Sequence, residues 1–335
     1  QGIQGKTAGV VVINSGEPGK APEVRIRGTN SITGSAQPIY IVDGVIVSDI
    51  NTINTSDIES MDVLKDAASQ AIYGSRSSNG VILVTTKSGK LGKMRVNVDS
   101  YVGFRSMTSK VEMADAKTYA EYTNEARAFD NQVPLFDVDT LKYNTDWFDA
   151  ITRNGMVQNY NINLSGGTEK TTYYFSADYF GDEGIVKGNY YNRLVLRSSN
   201  EYKLNKYITF GQTLNFTYAY NNMKPNVFTD AYRIGSTAPI RYPNGKYGFV
   251  NGLSVSNPVA ALNYTHNYRK DYSLLGNVFL EIKPFKGITL KSSLNFNKPD
   301  FKELNYTPEY LVSPTQYSNN STLTIKQSQT WNYIL

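Results

Sequence analysis

No cysteine occurs in the 335 residues, and histidine occurs once, at His266. The first absence excludes disulfide scaffolds, thiolate metal sites and thiol nucleophiles. The second removes the commonest general base, so hydrolase and transferase readings start at a disadvantage. No run approaches the ~18 apolar residues of a membrane-spanning helix, and mean hydropathy is −0.40. A helical membrane protein is thereby excluded. A barrel is not, because an alternating strand hides its lipid face from a hydropathy average. Charge of one sign is also scarce: 34 Lys and Arg against 29 Asp and Glu leave +5, too little and too dispersed for nucleic acid. The first residues, Gln1-Gly2-Ile3-Gln4-Gly5-Lys6, carry no Met and no secretory-signal pattern. The last, Trp331-Asn332-Tyr333-Ile334-Leu335, read as a strand with no turn behind it, so the chain reads as an internal piece of something longer. What is abundant is tyrosine. The 26 Tyr against 14 Phe and 2 Trp suit a protein with large boundaries between water and apolar surroundings.

Two regions differ in grammar. Residues 1 to about 90 read as a small α/β unit. Val10-Val11-Val12-Ile13, Ile39-Tyr40-Ile41-Val42 and Val81-Ile82-Leu83-Val84 are short apolar runs bounded by Gly, Pro, Asn and Asp, as strands are. Ser56 with Glu59 three residues later predicts a capping box and a helix start. Asp66 is a second expected cap, for Ala67 to Tyr73, with Gly74 as the left-handed stop.

After about residue 94 the period changes to two. Tyr160, Ile162 and Leu164 alternate with Asn159, Asn161 and Asn163; Tyr173, Phe175, Ala177 and Tyr179 alternate with Thr172, Ser176 and Asp178. The same holds for Ile208 to Tyr220 and Ile288 to Phe296, and more weakly for 95–105, 190–202, 272–282 and 323–333. That predicts about eight strands near the 9–11 residues that cross a bilayer at a tilt, where globular strands average about 5–6. Tight turns at 166–169, 203–206 and 283–287 alternate with mostly long links at 106–155, 181–189, 221–268 and 298–321. Short turns on one side and long loops on the other is the asymmetry of outer-membrane barrels. A soluble β-sandwich also alternates, but has no reason to keep its short links on one side. The first long link carries a helix pattern over 114–127, with Tyr119, Tyr122 and Ala126 on one face.

Individual motifs carry little chemistry. Gly16-Glu17-Pro18-Gly19-Lys20 is not a phosphate loop, since Ala21 stands where Ser or Thr is needed. Asp57, Glu59, Asp62 and Asp66 match no calcium loop and read as caps and a solvated face. Asp43-Gly44 reads as a turn, and His266 as an exposed loop residue. Arg25 and Arg27, two apart in a strand, leave the same face. They form either a solvated pair worth roughly 0–1 kcal/mol or a clamp reaching carboxylates such as Asp99, Asp178 or Glu281. Tyrosines near strand ends (Tyr173, Tyr179, Tyr190, Tyr191, Tyr202, Tyr207, Tyr218, Tyr220, Tyr268, Tyr272) read as an interfacial girdle. Tyr232, Tyr242 and Tyr247, in a long loop, are better candidates for ligand contact.

Six ordered segments carry a family resemblance. They are Gln4-Gly5-Lys6-Thr7-Ala8-Gly9-Val10, Val24-Arg25-Ile26-Arg27-Gly28-Thr29, Pro38 to Val45, Asp57 to Ala67, Ala71-Ile72-Tyr73-Gly74-Ser75-Arg76 and Asn79 to Lys87. In this order and spacing they resemble the plug of SusC/RagA-type TonB-dependent outer-membrane transporters. Looser matches continue through Asn144-Thr145-Asp146-Trp147 and Asp182 to Gly188. The resemblance implies an α/β plug over 1–92, lacking its N-terminal part, and antiparallel transmembrane barrel strands over 93–335, a partial barrel of about eight strands. It implies Arg25, Arg27, Asp43 and Arg76 as plug anchors, and Tyr232, Tyr242 and Tyr247 as cargo contacts. It implies no catalytic residue, cofactor or metal. The implied function is energised uptake of oligosaccharides or, secondarily, peptides across the outer membrane of a Gram-negative bacterium. The implied partners are TonB with the inner-membrane proton-motive complex, a SusD-like surface lipoprotein as lid, and outer-membrane lipid. The family's signal sequence, extension domain and TonB box have no counterpart here, and its barrels have about 22 strands. Other classes stay open at this point: a soluble all-β glycan-binding module, or a secreted β-sandwich enzyme.

Overall fold

The computed structural model describes residues 9–26, 37–47, 50–64, 74–250, 255–311, 317, 321–330 and 332–334. The first part is built from short strands. β1 (Val10–Ile13) pairs antiparallel with β2 (Glu23–Ile26). β3 (Ile39–Val42), β4 (Val45–Val47), β5 (Ile58–Leu64) and β6 (Val81–Thr86) make a mixed sheet of order β4-β3-β6-β5, with β3 and β6 parallel. Asp43 (φ 48°) and Gly44 (φ 87°) form the two-residue link of the β3–β4 hairpin. Both positions need positive φ, which Asp-Gly supplies at least cost. Val24, Ile26, Tyr40, Val42, Val45, Val47, Ile82 and Val84 close the core of this unit.

The expected capping box is corrected here. Ser56 lies in a short 3-10 turn whose cap is Asn54, and Glu59 lies in β5. Ile58, Met61 and Val63 pack on the core while β5 pairs with β6, so tertiary burial overrides the local helix signal. The cap at Asp66 and the helix after it fall outside the described residues; Gly74 does take positive φ, at 68°.

The second part is one antiparallel meander: β7 (Gly92–Arg105), β8 (Gly155–Gly167), β9 (Thr171–Glu183), β10 (Tyr190–Lys203), β11 (Ile208–Met223), β12 (His266–Ile282) and β13 (Leu290–Thr307). The eighth strand is described as two segments, β14 (Thr322–Gln329) and β15 (Asn332–Ile334), which pair with β13 in one continuous register. Seven strands of 13 to 18 residues exceed what a bilayer crossing needs. The expected link at 181–189 shrinks to six residues, because β9 runs on to Glu183. Among the described residues β7 and β14 each have a single partner strand, so the sheet is open at both edges. Val96, Val98, Val102 and Phe104 are exposed on the first edge.

The sheet curves round the first unit, and its alternation sorts by face. Asn215, Thr217 and Ala219 point inward and are buried, whereas Leu214 and Phe216 stand outward and exposed. Outward rings stack across strands in two bands. Tyr190–Tyr220–Tyr268 and Tyr218–Tyr272 lie toward the long links, and Tyr202–Phe210 lies toward the short turns. Phe210 and Tyr220 are ten positions apart on β11, which at about 3.3 Å per residue and a tilt near 40° is ~25 Å of height, a hydrocarbon thickness. Tyr191 is a correction to the girdle: it faces inward, where a side chain on Gly19 would overlap its ring.

Two outcomes follow for the full-length protein. Spin labels at Phe210 and Phe216 should report lipid oxygen while labels at Thr213 and Asn215 do not; equal access at both sets would refute the assignment of faces. A Leu214→Lys change near mid-height should cost about 2–4 kcal/mol in folding titrations from vesicles.

A polar dock between plug and wall, and a folded loop cap

Inward residues of the wall meet the first unit through hydrogen bonds rather than an apolar seam. On β9, Tyr174 Oη and Ser176 Oγ each donate to a different carboxylate oxygen of Asp57, both at 2.7 Å. Asp57 is fully buried. On β10, Arg197 points at the β3–β4 hairpin. Its guanidinium lies 3.6 Å from Asp43 Oδ2, donates to the Lys87 carbonyl at 3.2 Å and also bonds the Thr86 hydroxyl. Asp43 is itself fixed by Thr86, whose backbone N–H and hydroxyl donate to its two oxygens at 2.9 and 2.5 Å. Arg193 donates to the Asn51 carbonyl at 2.8 Å and holds Asp178 at 3.4 Å. On β11, Asn215 Nδ2 and Thr217 Oγ1 both donate to the Thr52 carbonyl, at 2.8 and 2.7 Å. Asn297 on β13 reaches the Ile46 carbonyl at 3.3 Å. Leu275 is the wall's apolar contribution to the core of the first unit.

For Arg25 the expected clamp is not formed. Arg25 does not reach Asp99, Asp178 or Glu281; it pairs with Glu23 on its own strand at 2.7 Å, both side chains more than a third exposed. Residues two apart share a strand face, so Glu23 is the nearest acid available to it. Asp178 is taken by Arg193 of the wall and Glu281 by Lys283. Asp43 does meet the wall, through Arg197. Arg27 and the Arg76 side chain lie outside the described residues. Among the described residues, the arginines that face the dock belong to the wall, and the carboxylates, Asp43 and Asp57, to the small unit. Asp57 reads from sequence as part of a solvated face; only Tyr174 and Ser176, more than a hundred residues on, make it a buried acceptor. No local signal marks that pairing.

The long links fold. α1 (Ala116–Phe129), capped by Asp115, and α2 (Trp147–Ile151), capped by Asp146, come from the first. α3 (Phe228–Arg233) and α4 (Pro258–Tyr264) come from the third. Trp147, Ile151, Val227, Ala231, Ile234, Ala238, Ala261 and Leu262 form a separate core among them. Trp147 Nε1 donates to the Gly235 carbonyl at 3.0 Å, and Asn257 caps α4 through two N–H groups. Against partial burial, the Lys110 ammonium at 2.5 Å and the first N–H groups of α2 hold the Asp146 carboxyl below its ordinary range. Burial pushes the Lys224 ammonium down; it donates to the Leu262 and Thr265 carbonyls. On α1, Tyr119 packs on Phe136 while Tyr122 faces solvent, so the expected shared face splits.

Of the three loop tyrosines, Tyr232 stands exposed on α3. Tyr242 lies edge-on to Tyr143 and Phe249. Tyr247 carries the Arg241 guanidinium 3.8 Å above its ring and meets Tyr264, which stacks on Tyr310 at 4.9 Å. The structure thus brings Tyr242 and Tyr247 into aromatic clusters and leaves Tyr232 apart. His266 opens β12, exposed, its ring stacked on Tyr306.

Known proteins agree with this geometry. A family model described as TonB-dependent Receptor Plug Domain matches residues 1–81. The chain is 36% identical over 314 residues to TonB-dependent receptor P26 of Formosa agariphila, covering 90% of this chain and 31% of that protein. It is 31% identical to TonB-dependent receptor SusC of Bacteroides thetaiotaomicron, covering 95% of this chain and 34% of that one. The chain therefore spans about a third of the length of these relatives. Among solved structures, a RagAB peptide transporter superposes with a TM-score of 0.73 at 25% identity, over 91% of this chain and 39% of that one. A plug-like unit held by hydrogen bonds against the inner face of long, lipid-patterned strands, with these relatives, shows that the chain belongs to the SusC/RagA class of TonB-dependent receptors.

Proposed function

We propose that this chain is the plug, residues 1–92, and the first wall strands, residues 93–335, of an energised importer in the outer membrane of a Gram-negative bacterium. The observation that carries the reading is the chemistry of the dock. Each contact of Tyr174, Ser176, Asn215 and Thr217 exchanges a protein acceptor for another hydrogen-bond partner. Such bonds contribute about 1 kcal/mol each net of water between neutral groups and about 1.5–3 kcal/mol to a carboxylate such as Asp57. A plug so held is closed at rest, yet can be rearranged by a pull without exposing a large apolar surface.

TonB and the inner-membrane proton-motive complex supply that pull in this reading, and a SusD-like lipoprotein covers the long-loop side. Cargo is an oligosaccharide first and a peptide second. Exposed and half-exposed rings at Tyr232, Tyr242 and Tyr247 offer stacking faces suited to sugars, while the solved RagAB relatives bear a peptide importer's name. Uptake of labelled oligosaccharides and labelled peptides by cells carrying the full-length receptor tests this. Accumulation of one cargo class, abolished by deleting TonB or collapsing the proton gradient, is expected. Uptake indifferent to both would refute energised import.

A further inference from the structure

Positive charge exceeds negative at one rim of the wall. The short-turn ends of the wall comprise residues 87–95, 165–172, 200–209 and 281–291, where register places Gly92 opposite Gly167, Lys203 opposite Thr209 and Ile282 opposite Leu290. They hold ten Lys or Arg and three Glu, but Lys87, Lys90, Lys93 and Arg95 line a cavity between plug and wall with Ile58, Glu59 and Tyr174, which leaves six Lys and three Glu, a net of +3, on the three wall turns. The long links, residues 106–154, 184–189, 224–265 and 308–321, hold ten Lys or Arg and eleven Asp or Glu. The turns at one end of the wall are cationic and the links at the other nearly neutral.

A sequence pattern recurs at the cationic end. Lys90-Leu91-Gly92-Lys93-Met94 precedes β7 into its first residues, and Lys203-Leu204-Asn205-Lys206-Tyr207 turns β10 into β11. Lys283-Pro284-Phe285-Lys286-Gly287-Ile288 turns β12 toward β13 with the same three-residue lysine spacing, each apolar residue set one position further on. In the two wall turns the lysines flank or precede large apolar side chains that stand in solvent, whereas Leu91 lines the cavity between plug and wall. Leu91, Leu204 and Phe285 are 63%, 66% and 63% exposed. A turn surrounded by water gains nothing from such residues. At a bilayer interface the apolar member enters the acyl boundary and the ammonium stays at phosphate depth.

We propose that this rim binds the headgroups of anionic phospholipids in the periplasmic leaflet, an assignment that rests on the outer-membrane reading above. Charge complementarity selects the occupant: clustered lysines next to apolar anchors attract anionic lipid over zwitterionic lipid. Part of the charge is already answered within the protein, by Glu59 at 2.8 Å from Lys90 and Glu281 at 2.7 Å from Lys283. Lys203, Lys206 and Lys286 carry further positive charge at the wall turns, with Lys206 lying over the Tyr207 ring at 4.9 Å. The rim thereby fixes the height of the wall in the membrane while the plug is pulled from the same side.

The test uses the full-length receptor in detergent, offered an equimolar mixture of phosphatidylcholine, phosphatidylglycerol and cardiolipin, with retained lipid counted by native mass spectrometry. Each lysine near an anionic surface is worth about fivefold in affinity, so the wild type should retain the two anionic lipids at least ~10-fold over phosphatidylcholine. The variant K203Q/K206Q/K283Q/K286Q should lose that preference, and the long-link control K110Q/K117Q/K142Q/K246Q should keep it. No anionic preference in the wild type, or an undiminished one in the rim variant, overturns the proposal. So does retention of isolated peptidoglycan by the rim in place of phospholipid. Insertion of the wild type into phosphatidylcholine bilayers is measured alongside, so failure of the barrel reading shows separately as failure to insert.

Discussion

Replacing Arg197 by Met in the full-length receptor will loosen the plug, and replacing Arg25 by Ala will not. The Arg197 side chain is 3% exposed, and its guanidinium serves three plug groups at once: Asp43, the Thr86 hydroxyl and the Lys87 carbonyl. Without it the Asp43 carboxylate faces the wall with no cation, and the Lys87 carbonyl loses a donor where water has little access. Asp43 is 23% exposed and keeps its two bonds from Thr86, so the loss is about 1–3 kcal/mol. Arg25, paired to Glu23 at the surface, is expected to contribute less than ~1 kcal/mol. Thermal unfolding of the plug and leakage of an antibiotic too large for ordinary pores read the difference. Arg197→Lys keeps the charge but loses the planar fork, so it should fall between. Equal behaviour of the Arg197 and Arg25 variants would remove Arg197 from the dock.

That contrast also marks where sequence reasoning reaches its end. The strands of the wall were legible, because alternation over a dozen residues has one physical meaning wherever lipid or a plug lies on either side. The short-turn and long-link sides followed from the same pattern. The Asp43-Gly44 link was legible from its backbone demands. Glu59 was not, since a capping pattern is local and the pairing of β5 with β6 is not. Asp57 was not, since a carboxylate's burial depends on what is laid against it, and Tyr174 and Ser176 come from a different strand system. Arg25 and Arg197 are both strand arginines. Only the three-dimensional position of the hairpin tells the one that is a surface pair from the one that is a latch.

The loop cap carries the same lesson in the other direction. Tyr242 and Tyr247 were legible as aromatic residues on long links, but not as members of clusters held over a Trp147-centred core. Short helices on two links, each unable to bury a face alone, pack one against another there. The links on this side are therefore a shaped surface rather than slack chain, which suits the recognition of a cargo or lid.

The central claim is that the plug rests against the wall through these contacts and must leave them for uptake to occur. The absence of native cysteine from this chain makes a direct test available. Asp57 and Ser176 meet side chain to side chain across the dock, with the Ser176 hydroxyl 2.7 Å from an Asp57 carboxylate oxygen. Cysteines placed at both positions as the only pair in the full-length receptor should oxidise to a bridge, abolish energised uptake, and recover it on reduction. Failure of the bridge to form would contradict the placement of the plug, and undiminished uptake by the bridged receptor would contradict the claim that the plug must move.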